Sequence, residues 1–255
     1  MDNPWSLHGK TALVTGAGRR LGRDIAVALA EGGADVVLHV HTSSGEDVAR
    51  AITALGRRVH VIAADLATTT GTLQLSRDAL TTAGVVDILI NNAAVFFPTP
   101  LDALTVDAWR SVLRTNLTAP FLLALFLGRA MKERGRGKII QLGDWSGRRP
   151  VPSYLAYCVS KSGVAALTQA LAKALAPQVQ VNAVAPGPVL PPEHYDETAR
   201  RTLIRQTPLQ RMGSAQDVVR TVRFLAESAG FVTGAIYIVD GGWSVQVVSG
   251  NGTSL

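Results

Sequence analysis

Short runs of β-branched and aliphatic residues alternate along the chain with longer stretches whose apolar positions recur every three to four residues. The strand-like runs are TALVTG, DVVLHV, RVHVIAAD, VVDILINN, KIIQLGD, QVQVNAVAP and AIYIVDGG. Between them the helical period predicts helices at about Leu21 to Gly32, Glu46 to Leu55, Thr70 to Ala83, Asp107 to Arg134 and Ser153 to Ala176. Apolar strands separated by helices imply a parallel sheet covered on both faces, because parallel neighbours need a long crossover between them. The expected fold class is α/β, a doubly wound (Rossmann-type) three-layer fold with a seven-stranded parallel sheet. No repeat or linker interrupts the pattern, which implies one domain over residues 1–255. The least regular segment, about 187–212, is rich in proline and charge and follows the sixth strand, where ligands of such sheets bind. It reads either as a substrate lid or as an ordinary surface excursion.

Composition narrows the class. Hydrophobic residues make up 47% of the 255 positions and charged residues 17%, which excludes a disordered or fibrous chain. The longest strongly apolar stretch, Phe121 to Leu127, is far shorter than the roughly 20 residues that span a bilayer, and the N-terminus lacks a basic start followed by an apolar run. Membrane insertion and secretion are therefore not expected. The single cysteine, Cys158, cannot form an intramolecular disulfide, which fits a reducing, cytoplasmic setting. The net charge of +6 raises the question of nucleic acid. The arginines, however, fall in scattered pairs (Arg19 and Arg20, Arg57 and Arg58, Arg148 and Arg149, Arg200 and Arg201) without an aromatic-interleaved basic run, so no nucleic-acid partner is expected.

The first strand runs directly into TGAGRRLG, Thr15 to Gly22, and then into a helix. Glycines at a strand-to-helix turn let the backbone approach a pyrophosphate, and the helix N-terminus offers N–H groups and partial positive charge. Asp65 and the run Asn91, Asn92, Ala93 fall just past strand ends, where they serve either to contact a nucleotide or to cap the next helix. The second strand ends in His39-Val40-His41-Thr42-Ser43, with no acid until Glu46 to accept a ribose 2′-hydroxyl. Thr42 and Ser43 as donors, with Arg19 or Arg20 as charge, suit a 2′-phosphate instead. His39 and His41 could also be metal ligands, but no third or fourth ligand lies nearby in sequence, and no metal is expected.

Tyr157 and Lys161 sit four residues apart in a helical stretch and so share a face; an ammonium there is expected to lower the phenol's pKa and make it a usable proton donor. Alone, such a pair is more often a solvated face. Joined to the glycine loop and the Asn-Asn-Ala run, it resembles the short-chain dehydrogenase/reductase family, over about Lys10 to Trp243. The resemblance implies Tyr157 as general acid, Lys161 as its partner and ribose ligand, and Asn116 at the proton-relay water. It also implies a homotetramer.

Two departures from the usual family pattern sharpen the reading: Arg20 stands where a glycine is usual, and Asp144 where a serine orients the substrate oxygen. Together with Phe96, Tyr157 and Lys161 they are similar to the pteridine reductases. That resemblance implies NADPH held by Gly16, Arg19, Arg20, Leu21, His41, Thr42, Ser43, Asp65, Leu66, Asn92, Ala93, Lys161, Pro186 and Gly187. It implies a pterin or folate substrate held by Arg20, Phe96, Asp144 and Tyr157. Phe96 would stack on a flat heterocycle, or else be a packing residue. Asp144 would help supply the proton that C=N reduction requires, or else only cap a turn. Thr42 replaces an arginine usual in those enzymes, and Ala94 a serine. The competing readings are a 3-oxoacyl thioester or other carbonyl reductase on the same scaffold and a non-catalytic NADPH-binding sensor.

Overall fold

The computed structural model describes residues 6–190 and 196–245. Seven parallel strands form one sheet in the order β3-β2-β1-β4-β5-β6-β7. The strands are β1 (Thr11–Val14), β2 (Asp35–Val40), β3 (Val59–Ala63), β4 (Ile88–Asn91), β5 (Gly137–Leu142), β6 (Val179–Pro186) and β7 (Ile236–Val239). The order reverses between β1 and β4, the switch point where the carboxyl ends of neighbouring strands diverge and leave a crevice.

Helices cover both faces. On one side α1 (Arg20–Glu31), α2 (Glu46–Ala54) and α8 (Ala215–Glu227) bury Ile25, Leu29, Ile52 and Val222 against the sheet. On the other, α3 (Thr69–Ala83), α5 (Ala119–Glu133) and α6 (Leu155–Leu175) bury Leu75, Leu123, Leu127 and Leu171. The central strands are buried on both faces, which is why β1 and β4 read as unbroken apolar runs rather than alternating ones.

Three features differ from the sequence expectation. The helix expected at Asp107 to Arg134 is α4 (Val106–Leu113) and α5 joined by a π turn at Arg114–Thr118. Across that join Val106–Glu133 is long and apolar enough to cross a membrane by length and composition, although half of its most apolar window is buried within the fold. Segment 187–212 carries a helix, α7 (Glu197–Gln206), capped by Asp196, and residues 191–195 of the expected lid lie outside the described residues. Helix α8 is not among the expected helices, although its apolar positions recur at helical spacing. Its start is nevertheless written in the chain as a capping box, with Asp217 accepting the Ser214 N–H and Ser214 accepting the Asp217 N–H.

Candidate active site

The carboxyl ends of β1 to β6 open on one cavity of about 1090 Å³. Every site residue expected from sequence except Asn116 lines it: the glycine-loop residues Gly16, Arg19, Arg20 and Leu21; His41, Thr42 and Ser43 after β2; Asp65 and Leu66 after β3; Asn92, Ala93 and Phe96 after β4; Asp144 after β5; Tyr157 and Lys161 on α6; and Pro186 and Gly187 at the end of β6.

The glycine loop is clasped from below. The Thr15 hydroxyl accepts the N–H groups of Asn92 (2.9 Å) and Ala93 (3.0 Å), while the Asn92 amide donates to the Thr15 carbonyl at 2.8 Å. His39 is buried, accepting the Gly16 N–H on Nδ1 at 3.1 Å with Nε2 on the Ala64 carbonyl at 3.1 Å. Its two ring nitrogens are thus spent on backbone, which removes it as a metal ligand, and burial lowers its pKa. A side chain at Gly22 would collide with the Gly16 carbonyl, and one at Gly18 with Ser43. Helix α1 begins without a side-chain cap or an acidic residue in its first turn, whereas α3, α4, α7 and α8 are all capped by a side chain. A cradle closed to Cβ atoms, uncapped N–H groups and the adjacent Arg19 and Arg20 together suit a dinucleotide pyrophosphate. Arg20 adopts φ +51°, the left-handed conformation of the glycine it replaces. Its guanidinium reaches across the cavity to donate to the Leu190 carbonyl at 2.7 Å, tying the glycine loop to the start of the segment after β6.

At the other end of the cavity the Tyr157 hydroxyl donates to Asp144 Oδ2 at 3.1 Å, and Asp144 Oδ1 accepts the Ser146 N–H at 2.8 Å. Asp144 thus accepts the Tyr157 hydroxyl and also caps the turn Trp145–Gly147. Lys161 is buried, and its Nζ donates to the Leu142 carbonyl at 2.7 Å and lies 5.6 Å from the centre of the Tyr157 ring. Burial lowers the Lys161 pKa to about 8, against the opposing pull of Asp144. The expected lowering of the Tyr157 pKa is corrected here. Burial pushes the phenol well above its ordinary value, and the charge and hydrogen bond of Asp144 push the same way, so Tyr157 is held as a protonated donor.

Asn116 lies in the π turn, buried behind the cavity wall. It accepts the Val95 N–H at 2.8 Å and donates to the Val95 carbonyl at 3.0 Å and to Ser160 Oγ at 3.2 Å. A break in the regular helical bonding is legible in the chain at this point. Pro120, four residues after Asn116, has no N–H to close the regular helical bond to the Asn116 carbonyl, and Ala119 donates instead to Arg114.

Among the described residues, four aromatic side chains border the Tyr157–Asp144 pair on the cavity lining. Phe96 stacks on Tyr154 (4.3 Å, 6°) and meets the Tyr157 ring edge-on (4.7 Å, 75°), yet remains 49% exposed. Trp145 and Trp243 form an edge-on pair at 5.7 Å on the cavity lining. Tyr154, Trp145 and Trp243 were not singled out from sequence. The available signals were the three-residue helical offset of Tyr154 from Tyr157 and the adjacency of Trp145 to Asp144. Ser146, also on the lining, keeps a buried hydroxyl with no partner among the described residues. Leu203 of α7 and Leu190 reach the same lining, which places parts of the 187–212 segment beside the cavity.

A family model described as enoyl-(acyl carrier protein) reductase matches residues 16–244. The chain is 36% identical to 2-dehydro-3-deoxy-D-gluconate 5-dehydrogenase of Bacillus subtilis over 95% of this chain and 98% of that one. It is 34% identical to a 3-oxoacyl-(acyl-carrier-protein) reductase of Synechocystis over 93% and 98% of the two chains. The crystal structure of FolM alternative dihydrofolate reductase 1 from Brucella canis, complexed with NADP, superposes with a TM-score of 0.90 at 30% identity, covering 97% of this chain and 98% of that one. A cradled glycine loop at the sheet's switch point, a buried Tyr-Lys pair beside it and this agreement over nearly the whole length have one reading: the chain belongs to the short-chain dehydrogenase/reductase family of oxidoreductases.

Proposed function

We propose that the protein is an NADPH-dependent pteridine reductase acting on a dihydropterin or dihydrofolate. The observation that carries the reading is the 3.1 Å hydrogen bond from Tyr157 to a carboxylate, Asp144, at the position where carbonyl reductases of the fold use a serine. When bound, NADPH supplies a hydride to the carbon of a C=N bond. The chain's own groups then have the other half of the task, delivering one proton to the nitrogen. Tyr157, held protonated by burial and by Asp144, is the donor, and Asp144 orients its hydroxyl. Phe96, half exposed beside Tyr157, offers an aromatic face to a flat heterocycle. Arg19, Thr42 and Ser43 would hold the 2′-phosphate where the end of β2 provides no carboxylate for a free hydroxyl.

The segment 187–212 acts as a lid through Leu190 and Leu203, latched by Arg20. The protein works in the cytoplasm as a homotetramer, a state supported by Phe121 and Phe126 on α5 and Val159 on α6, which are at least 40% exposed. A carbonyl reductase of sugar acids or thioesters is the second reading, favoured by the Bacillus subtilis and Synechocystis relatives.

The substitution Asp144→Ser tests the choice. It restores the usual carbonyl-reductase residue, and kcat/KM for dihydropterins is expected to fall at least a hundredfold while that for an acetoacetyl thioester rises. An unchanged substrate profile would remove Asp144 as the determinant.

A further inference from the structure

Trp145 and Trp243 stand on the cavity lining, yet neither belongs to the packed core on either face of the sheet. Each is held by bonds that leave the indole facing its neighbour. Trp145 opens the turn that Asp144 caps, so it follows the catalytic carboxylate directly in the chain. Trp243 opens the turn Trp243–Val245, which is fixed from both sides. Asp240 accepts the Gly242 N–H at 2.9 Å and the Ser244 N–H at 2.7 Å, and Arg149 donates to the carbonyls of Trp243 at 3.3 Å and Ser244 at 3.4 Å. A chain segment about a hundred residues distant is thereby brought against the turn after β5, and the two rings meet edge-on at 5.7 Å. The arrangement is preorganised, so a ligand ring seated there has little ordering left to impose. The exposed Arg148 ends the Trp145 turn outside the cavity lining, where its charge is open to an anionic tail that leaves the cavity.

We propose that Trp145 and Trp243 form an aryl subsite. It selects, among reduced pterins, those that carry an aromatic ring on a short tether with an acidic end, as in a folate, over those with a small aliphatic side chain. The proposal rests on the pterin reading of the site. The heterocycle lies against Phe96 with its C=N bond at Tyr157 and Asp144, and the substituent runs past Asp144 onto the indoles.

The experiment compares kcat/KM for dihydrofolate and dihydrobiopterin in the wild type and in Trp145→Leu and Trp243→Leu, which keep apolar bulk but remove the ring. Thermal melting and NADPH binding report on each variant's fold. The dihydrofolate-to-dihydrobiopterin ratio is expected to drop about tenfold in each variant, mainly through KM, and to be largely retained in Trp145→Phe and Trp243→Phe. A ratio within twofold of wild type in both leucine variants overturns the subsite while leaving the pterin reading intact. A wild type that reduces neither pterin overturns both. Quenching of intrinsic tryptophan fluorescence by p-aminobenzoylglutamate in the NADPH complex gives a readout independent of turnover. Quenching that persists unchanged in Trp145→Leu and Trp243→Leu likewise overturns the subsite.

Discussion

The Asp144 carboxylate receives the Ser146 N–H on one oxygen and the Tyr157 hydroxyl on the other, so the residue that shapes the turn also fixes the direction of the phenol. Lys161 stands behind them with its charge buried, and its pKa of about 8 against an ordinary 10.5 makes two outcomes measurable. The unfolded chain binds more protons than the folded one between pH 8 and 10.5. This group's contribution to stability therefore rises across that window, and below it the folded state carries the full burial cost. At about 1.4 kcal/mol per unit that cost is about 3 kcal/mol. Lys161→Met should be more stable than wild type at pH 7 by about 2 kcal/mol, after about 1 kcal/mol is lost where the Leu142 carbonyl loses its donor. The advantage should shrink toward pH 10.5 while reductase activity is abolished. Denaturant melts at three pH values check this, and a variant less stable than wild type at pH 7 would show that the buried ammonium is a net stabiliser. In the wild type kcat/KM should decline above about pH 8 as the ammonium is lost, with Tyr157 still protonated there.

The join between α4 and α5 is where element structure meets chemistry. Pro120 offers the Asn116 carbonyl no helical donor and its ring crowds that carbonyl where the π turn lies, and Asn116 in turn holds Val95 on the cavity wall by two hydrogen bonds. Pro120→Ala supplies the missing donor and lets the helix close regularly. It should lower kcat about tenfold with melting temperature unchanged or raised, and unaltered kcat would reduce the π turn to a packing detail. Helix-period patterns were legible for α1, α2, α3 and α6, and for α4 and α5 as one stretch, because apolar positions recur there at helical spacing. Helix α7 escaped because it buries none of its residues, so no stripe marks it, only the Asp196 cap. Helix α8 buries Val218, Val219, Val222 and Leu225 but follows the irregular segment, and its capping box was the signal to read. The candidate site residues were legible in two ways: Tyr157 and Lys161 stand one helical turn apart, and Asp144 was marked by the family resemblance as a departure at the usual serine position. The aromatic border was not, since Trp145 and Trp243 meet only through the sheet's topology and the bonds of Arg149 and Asp240. The depressed Lys161 and elevated Tyr157 pKa values likewise follow from burial, which spacing alone does not report.

At the scale of the whole molecule, the sheet gathers the loops that follow its strands around one cavity and leaves the outer faces of α5 and α6 to other contacts. If those faces build a tetramer, Phe121→Asp combined with Phe126→Asp should dissociate it in sedimentation velocity with helix content retained, whereas a wild type that sediments as a monomer would contradict the assembly. The chemistry of the cavity has a more direct test. NADPH consumption by the wild-type protein should be followed side by side with dihydrobiopterin, dihydrofolate, an acetoacetyl thioester and a keto sugar acid, each at several concentrations. The expected result is a kcat/KM for at least one pterin that exceeds those for both carbonyl substrates by a hundredfold or more. Turnover of only the thioester or the sugar acid would contradict it.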